Sequence, residues 1–278
     1  MLPPRIRDVP VSATPRLTRR EIDWKGVADD HAHRPWPIPD APWRMTMTWS
    51  DLLFAHWRVD PAVVAAALPD GLEVDLFDGG AWVGLVPFRM DNTGVRRLPS
   101  PPVLATFPEI NVRTYVRSTD GLDRPGVWFF SLDAASRPAV MGARALFHLP
   151  YFHADMSLEA DGDWIRYRSR RTDGRIGPGE LDGRYRGVGE PYLAAPGSLD
   201  EWLTERYCLY SADPRGRVAR AEVQHVQWPL REAEAELATN TVCDAHGLEL
   251  GDPLSPTLLH FVPTLHVVGW LPKRLDQG

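Results

Sequence analysis

The sequence predicts an α+β, mainly β protein, and three observations carry that reading. Turn signals of the Asp-Gly, Gly-Gly and Pro-Gly type recur along residues 45–278, with short apolar or alternating runs between them. Helix signatures are few and brief. The strand–helix alternation of a doubly wound sheet is missing, so antiparallel hairpins closing into a barrel, with short peripheral helices, are the expected architecture. Before this single domain runs a Pro-rich extended arm, residues 1–44, with eight prolines and no sustained period. It is expected to wrap the body or stay mobile.

The elements follow in order. Asp60-Pro61 supplies an N-cap and a first-turn proline ahead of AVVAAAL, and Pro69 stops that helix. Leu72–Phe77 and Ala81–Phe88 flank Asp78-Gly79-Gly80, where Asp and Gly tolerate positive φ, so a hairpin is expected. Asn111–Arg117 and Val127–Leu132 flank a loop with Asp120-Gly121 and Pro125-Gly126. Pro138 opens a helix through PAVMGARAL. Trp164–Arg170 follows Asp161-Gly162, and Ser198 with Glu201 forms a capping box ahead of EWLTER. Tyr207–Ser211 precedes Asp213-Pro214-Arg215-Gly216. Residues 231–237, REAEAEL, fit helix by propensity and strand by alternation. Leu258–Trp270 reads as a strand that Pro263 must interrupt or place at an edge.

Composition excludes several classes. A net charge of -6 argues against nucleic-acid and membrane-surface partners, which favour basic patches. Cys208 and Cys243, the two cysteines, make neither a disulfide scaffold nor a Cys-based zinc site. No apolar run approaches the ~18 residues of a membrane span, and the start, MLPPRIRDVP, has no signal-peptide core, so a cytoplasmic protein is expected. G-x-S-x-G, P-loop, dinucleotide and H-E-x-x-H signatures are absent. Lysine is scarce, with only Lys25 and Lys273 against 29 arginines. Cys208 in YCLY reads as buried, and the 11 tryptophans, Trp49 and Trp228 among them, as packing or an aromatic cavity wall.

The run Pro108-Glu109-Ile110-Asn111-Val112-Arg113-Thr114-Tyr115-Val116 is the most informative segment. Side chains alternate across a strand, so Glu109, Asn111, Arg113 and Tyr115 share one face and Ile110, Val112, Thr114 and Val116 the other. A wet polar face is one reading and the lining of a ligand cavity the other; the residues alone leave both open. Inside a closed cavity the charges of Glu109 and Arg113 would have to lean on each other or on Arg144.

Residues 142–155 concentrate Arg144, His148, Tyr151, His153 and Asp155 around Pro150. His148 and His153 are proton-transfer candidates, although a lone histidine is more often a packing or surface residue. A metal reading of His148, His153 and Asp155 has no helical i, i+4 spacing behind it and is set aside, so no metal or cofactor is expected. The arm's Asp29-Asp30-His31-Ala32-His33 is read as a solvated charged tail.

In order along the chain, HWRVDPAVVAAALPDGLEVDLFDGGAWVGLVPFRM, FPEINVRTYV, PGVWFFSLDA and ARALFHLPYFHADM resemble the acetoacetate decarboxylase-like superfamily, and within it the YqjF-like branch of uncharacterised bacterial proteins. The likeness covers roughly residues 45–270. It implies a cone-shaped antiparallel β-barrel enclosing a cavity, and it favours the cavity reading of the stripe. The glutamate that the decarboxylases place at the start of this strand matches Glu109. Their Gly-Arg-Glu run falls on Ala143, Arg144 and Ala145, which keeps the arginine and loses its acidic neighbour. Where their paired lysines follow a proline, Pro150 is followed by Tyr151 and Phe152. A Schiff base requires a primary amine, so acetoacetate decarboxylation is not expected.

Two functional readings follow. One is a lysine-independent acid–base enzyme acting on a small organic acid or carbonyl compound, lyase-like but without a Schiff base. In it Glu109, His148 and Tyr151 are the catalytic candidates, and Asn111, Arg113, Tyr115, Arg144 and His153 hold the substrate. The other is a non-catalytic small-molecule-binding barrel. Clustering of an acid, a base and a guanidinium favours the enzyme. The partner expected is a small molecule, and a homo-oligomer is left open.

Overall fold

A computed structural model of the chain describes residues 17–98, 106–122 and 124–275. Its strands are joined through a single hydrogen-bonded sheet that closes on itself twice. Three walls connect two shared strands, β5 (Gly126–Ala134) and β12 (Leu258–Gly269). The central wall is β4 (Thr106–Ser118), β3 (Ala81–Val95) and β1 (Met45–Val59). A second wall runs β6 (Tyr151–Asp161), β7 (Trp164–Arg171), β8 (Glu180–Tyr192) and β11 (Leu230–Asn240). The third is β9 (Cys208–Ala212) and β10 (Val218–Gln224). Short β2 (Leu72–Val74) borders β4, and β13 (Lys273–Arg274) borders β10. The pairings are antiparallel except β5 with β6 and with β9.

Because the central wall has a neighbour on each side, its strands are buried on both faces. Leu53, Ala55, Val83, Leu85, Ile110 and Val112 pack toward the second wall with Tyr167, Tyr185 and Phe261. Leu52, Phe54, Val86, Phe88, Phe107 and Tyr115 pack the other way, with Phe129, Leu132 and Trp228. On β1 the residues facing that second interior switch from Met47 and Trp49 to Leu52 and Phe54, and the pairing with β3 shifts register between Ser50 and Ala55. The switch occurs at Asp51, whose φ is 53°. A bulge of this kind re-aims the strand by one residue and keeps the apolar set indoors.

Among the described residues four α-helices decorate the sheet: α1 (Trp24–Asp29), α2 (Pro61–Ala66), α3 (Arg137–Phe147) and α4 (Leu199–Thr204). Asp60 caps α2, Ser136 caps α3 and Ser198 caps α4, each side chain accepting from an orphan amide. The mainly β class and the helices at Pro61, Pro138 and Leu199 agree with the sequence reading.

Two local expectations, the hairpin and the solvated tail, are corrected, and two open readings, Pro263 and REAEAEL, are resolved. Asp78 and Gly79 do form a tight turn, but only Phe77 and Gly80 bridge across it, and β2 pairs with β4. Pro263 does not interrupt β12, which runs through it unbroken at the point opposite Asp51, where the strand leaves β11 for β10. REAEAEL is strand: Glu234 and Glu236 meet Arg186 and Arg184 across the ladder to β8. The Asp29–His33 segment is no free tail. His33 meets the His225 carbonyl at 2.9 Å, and Arg34 is buried against Glu222 at 2.8 Å. In front of it α1 packs Ala28 on Val268 and Trp270.

Candidate active site

Between the central wall, β10 and α3 lies a cavity of about 510 Å³. Glu109, Asn111 and Arg113 line it from β4, Phe88 and Val86 from β3, Trp49 and Leu52 from β1, and Tyr151 from the start of β6. The sheet register sets this order: Glu109 lies opposite Phe88, Asn111 opposite Val86 and Arg113 opposite Gly84. Glu109, Asn111 and Arg113 therefore form the floor of a mainly apolar cavity and no wet strand face.

Glu109 is the group most altered by its position. It is 2% exposed, and loss of solvent pushes its carboxyl up to about 8, with nearby Asp133 adding to the rise. The Tyr151 hydroxyl opposes that rise by donating to Oε2 at 2.9 Å. Burial and the glutamate raise the Tyr151 phenol in turn, so it remains a donor. From the far side of β4, the buried Tyr167 hydroxyl donates 2.7 Å to the Glu109 carbonyl, pinning the backbone that presents the carboxyl.

Arg113 is held differently. Its guanidinium lies 4.9 Å from the Phe54 ring centroid, and its one hydrogen bond, from Nη2 to the Tyr115 hydroxyl, is a long 3.5 Å. Among the described residues no carboxylate lies within ion-pairing distance, and Nε has no hydrogen-bond partner. Tyr115 is fixed by His56, whose Nε2 meets its hydroxyl at 2.6 Å. Burial, with Arg113 and His260 nearby, holds that imidazole well below its usual range and hence neutral. A Cβ at Gly84 would stand 3.1 Å from His56 Nε2 and 3.4 Å from Arg113 Cγ, so glycine is what allows these side chains to meet across β3. Asn111 Oδ1, Trp228 Nε1 and Arg206 Nη2 are likewise unpartnered, and all three residues line the cavity. With Thr93 Oγ1 on β3, five unpartnered buried polar atoms from several elements thus border one cavity, where such atoms are rarely left without a partner.

The predicted residues divide. Glu109, Asn111, Arg113 and Tyr151 line one cavity, with Tyr115 directly behind Arg113. Arg144 does not line it; its Nη1 donates 3.3 Å to the Tyr151 carbonyl, bracing that residue from outside. His148 caps α3 in a left-handed conformation and borders a different, more open hollow. His153 meets Thr172 Oγ1 at 2.8 Å and lies off the lining as well. Nor do Glu109 and Arg113 lean on each other or on Arg144. The glutamate rests on Tyr151, and the guanidinium on aromatic faces and a phenol. Sequence reasoning missed Arg206 and His56. Arg206 follows α4 and pairs with Asp75 at 2.6 Å, and nothing local announces that a residue so far along the chain reaches this wall.

No lysine lines the cavity: Lys25 is bound to Asp29 on α1, and Lys273 lies on β13. Cys208 and Cys243 are buried, their thiols pushed up to about 12 by loss of solvent. Among the described residues no three His, Cys, Asp or Glu side chains are grouped to hold a metal, and no helix is long and apolar enough to cross a membrane.

Comparison with known proteins gives first the class. The fold is that of acetoacetate decarboxylase-like proteins. An acetoacetate decarboxylase-like enzyme from Sphingomonas wittichii RW1 superposes with a TM-score of 0.56 at 15% identity, over 88% of this chain and 98% of that one. The acetoacetate decarboxylase of Legionella pneumophila gives 0.53 at 14% identity, over 95% and 98%. The enduracididine biosynthesis enzyme MppR, complexed with the condensation product of pyruvate and imidazole 4-carboxaldehyde, gives 0.54 at 13%, over 85% and 90%. Within that class, residues 46–266 match the uncharacterised conserved family DUF2071, and the chain belongs to it. It is 45% identical over 233 residues to the uncharacterised protein YqjF of Bacillus subtilis (strain 168), covering 84% of this chain and 93% of the relative.

Proposed function

We propose that the strand rings form a cone-shaped barrel whose cavity is the active site of a lysine-independent acid–base enzyme acting on an organic acid or carbonyl compound. The observation that carries this reading is the Glu109–Tyr151 pair in one cavity with a buried guanidinium that has no carboxylate partner among the described residues. A carboxyl with a pKa of about 8 is populated in both forms near neutrality, which suits a group that gives and takes a proton in one cycle. As the carboxylate, Glu109 removes a proton from carbon next to the ligand's carbonyl; as the acid, it returns one. The Tyr151 hydroxyl stabilises the ionised form, and Arg113 holds the ligand by its acid group further along β4.

With Tyr151 where the superfamily resemblance expects a lysine, the ligand forms no imine. The complex of MppR with a pyruvate-derived ligand is consistent with a carbonyl acid in this fold. Exchange of ligand C–H protons in deuterated water, followed by NMR over a panel of keto acids, tests the reading. Exchange is expected to rise with pH through about 8 and to vanish in Glu109→Gln. Exchange that survives this substitution, or a stoichiometric borohydride-trapped adduct, removes the proposal. Retained binding without exchange in the wild type leaves the non-catalytic binding protein instead.

A further inference from the structure

The polar groups of the cavity occupy one part of it and the remainder is oily. Along β4 the lining residues run Arg113, Asn111, Glu109 and Phe107. At the usual strand rise, Arg113 and Glu109 stand about 14 Å apart along the backbone, and Phe107 lies about 7 Å further on. The walls between are Phe88, Phe129, Leu132 and Trp228, all buried. Beyond them the lining continues to a rim of Val95, Leu98 and Leu146, which are 39%, 58% and 60% exposed. Exposed apolar side chains at the mouth of an apolar channel mark a path for an apolar ligand, and a volume of about 510 Å³ is far more than a four-carbon acid fills.

We infer that the cavity binds an amphipathic carboxylic acid, its carboxylate on Arg113 and its elongated apolar body lying past Glu109 toward the Val95–Leu98–Leu146 rim. A carboxylate suits Arg113 because the guanidinium presents a planar donor fork whose Nε is unpartnered and which meets no acid among the described residues. A phosphate or other dianion would bring two charges to one desolvated cation and fits less well. The inference rests on the proposed site and adds the class of its substrate: the apolar body supplies affinity, and the carboxylate fixes which carbon stands at Glu109.

The test is calorimetric titration of the full chain at pH 7 with acetate, butyrate, hexanoate and octanoate, then with octanamide and octyl phosphate. Affinity is expected to rise about fourfold for each buried methylene along the acid series. Octanamide is expected to bind at least tenfold more weakly than octanoate. Arg113→Gln should erase the preference for acid over amide while keeping the dependence on length, and this retained dependence shows that the variant has folded. Leu146→Asp should flatten the series at its long end. Acetate and octanoate binding equally overturns the inference and leaves a small-acid enzyme in place. Octyl phosphate binding more tightly than octanoate overturns the choice of carboxylate. Failure of every acid to bind, with proton exchange unaffected by Glu109→Gln, removes the inference and the enzyme reading together.

Discussion

The two interiors on either side of the central wall treat buried charge in opposite ways. Toward the second wall, Arg171 is fully buried and fully used: Nε meets Asp133 at 2.9 and 3.0 Å, Nη1 the Gly177 carbonyl at 3.1 Å, and Nη2 Ser131 at 3.2 Å. Toward the cavity, Arg113 keeps one long hydrogen bond and an unpartnered Nε. Both arginines stand on strands, and both are desolvated. A buried ion pair whose hydrogen bonds are complete belongs to the architecture, whereas a buried cation lacking its anion points to something that arrives from outside. The same strand serves both purposes because its alternate residues face different interiors: Ile110 and Val112 fill one, while Glu109, Asn111 and Arg113 furnish the other.

The largest expected effect breaks the comparison at Arg171. Arg171→Met strands the Asp133 carboxylate, and equilibrium denaturation should show a loss of about 3–5 kcal/mol. Arg113→Met removes a charge that already lacks a partner, so its stability should stay within about 1 kcal/mol of wild type or rise, while acid binding is lost. Equal losses in the two variants would erase the distinction.

Next in size is the pH dependence of Glu109. Below about 4.5 its carboxyl is protonated in folded and unfolded chains alike. Between 4.5 and about 8 the unfolded chain has released the proton and the folded chain holds it, so this residue makes stability fall as pH rises. Above 8 the penalty is complete. Each unit of separation is worth about 1.4 kcal/mol, so Glu109→Gln should stabilise the protein by a few kcal/mol at pH 9 and hardly at all at pH 4. A gain independent of pH would mean that the carboxyl is not desolvated.

These two residues also show what was legible in the sequence. Period-2 alternation puts Glu109, Asn111 and Arg113 on one face, and the register to β3 and β5 agrees. Alternation cannot say whether that face meets water, because burial on both sides depends on walls supplied by β6–β8 and β9–β10, far along the chain. Arg144, His148 and His153 lie near Tyr151 in sequence, and the superfamily resemblance adds its weight to Arg144, yet the end of α3 and the start of β6 turn all three away from the cavity. His56 and Arg206 carried no local signal. Their reach into the site depends on Gly84 leaving a gap across β3 and on a buried pairing with Asp75.

Gly84 gives a smaller effect. Gly84→Ala sets a methyl group 3.1 Å from His56 Nε2, a contact the ring can relieve only by shifting away from Tyr115. About 1 kcal/mol of destabilisation is expected, with a larger fractional loss of acid binding as Arg113 loses its support. Unchanged binding would show that the His56–Tyr115 contact does not position the guanidinium.

The smallest expected number is the most diagnostic. Glu109 and Arg113 are four residues apart on one face, so a simple view of the stripe makes them an ion pair. In the structure the glutamate is bound by Tyr151 and the guanidinium rests on Phe54 and Tyr115, with about 14 Å of strand between the two residues. A double-mutant cycle with Glu109→Gln and Arg113→Met at pH 7, where most of the glutamate is protonated, should give coupling below about 0.5 kcal/mol. The parallel cycle of Glu109→Leu with Tyr151→Phe, in which each variant removes the Tyr151–Glu109 hydrogen bond, should give about 1 kcal/mol. If the order were reversed, Arg113 would be the glutamate's private counter-ion and unavailable to any ligand. The assignment of the two charges to separate ends of a bound acid would fall with it.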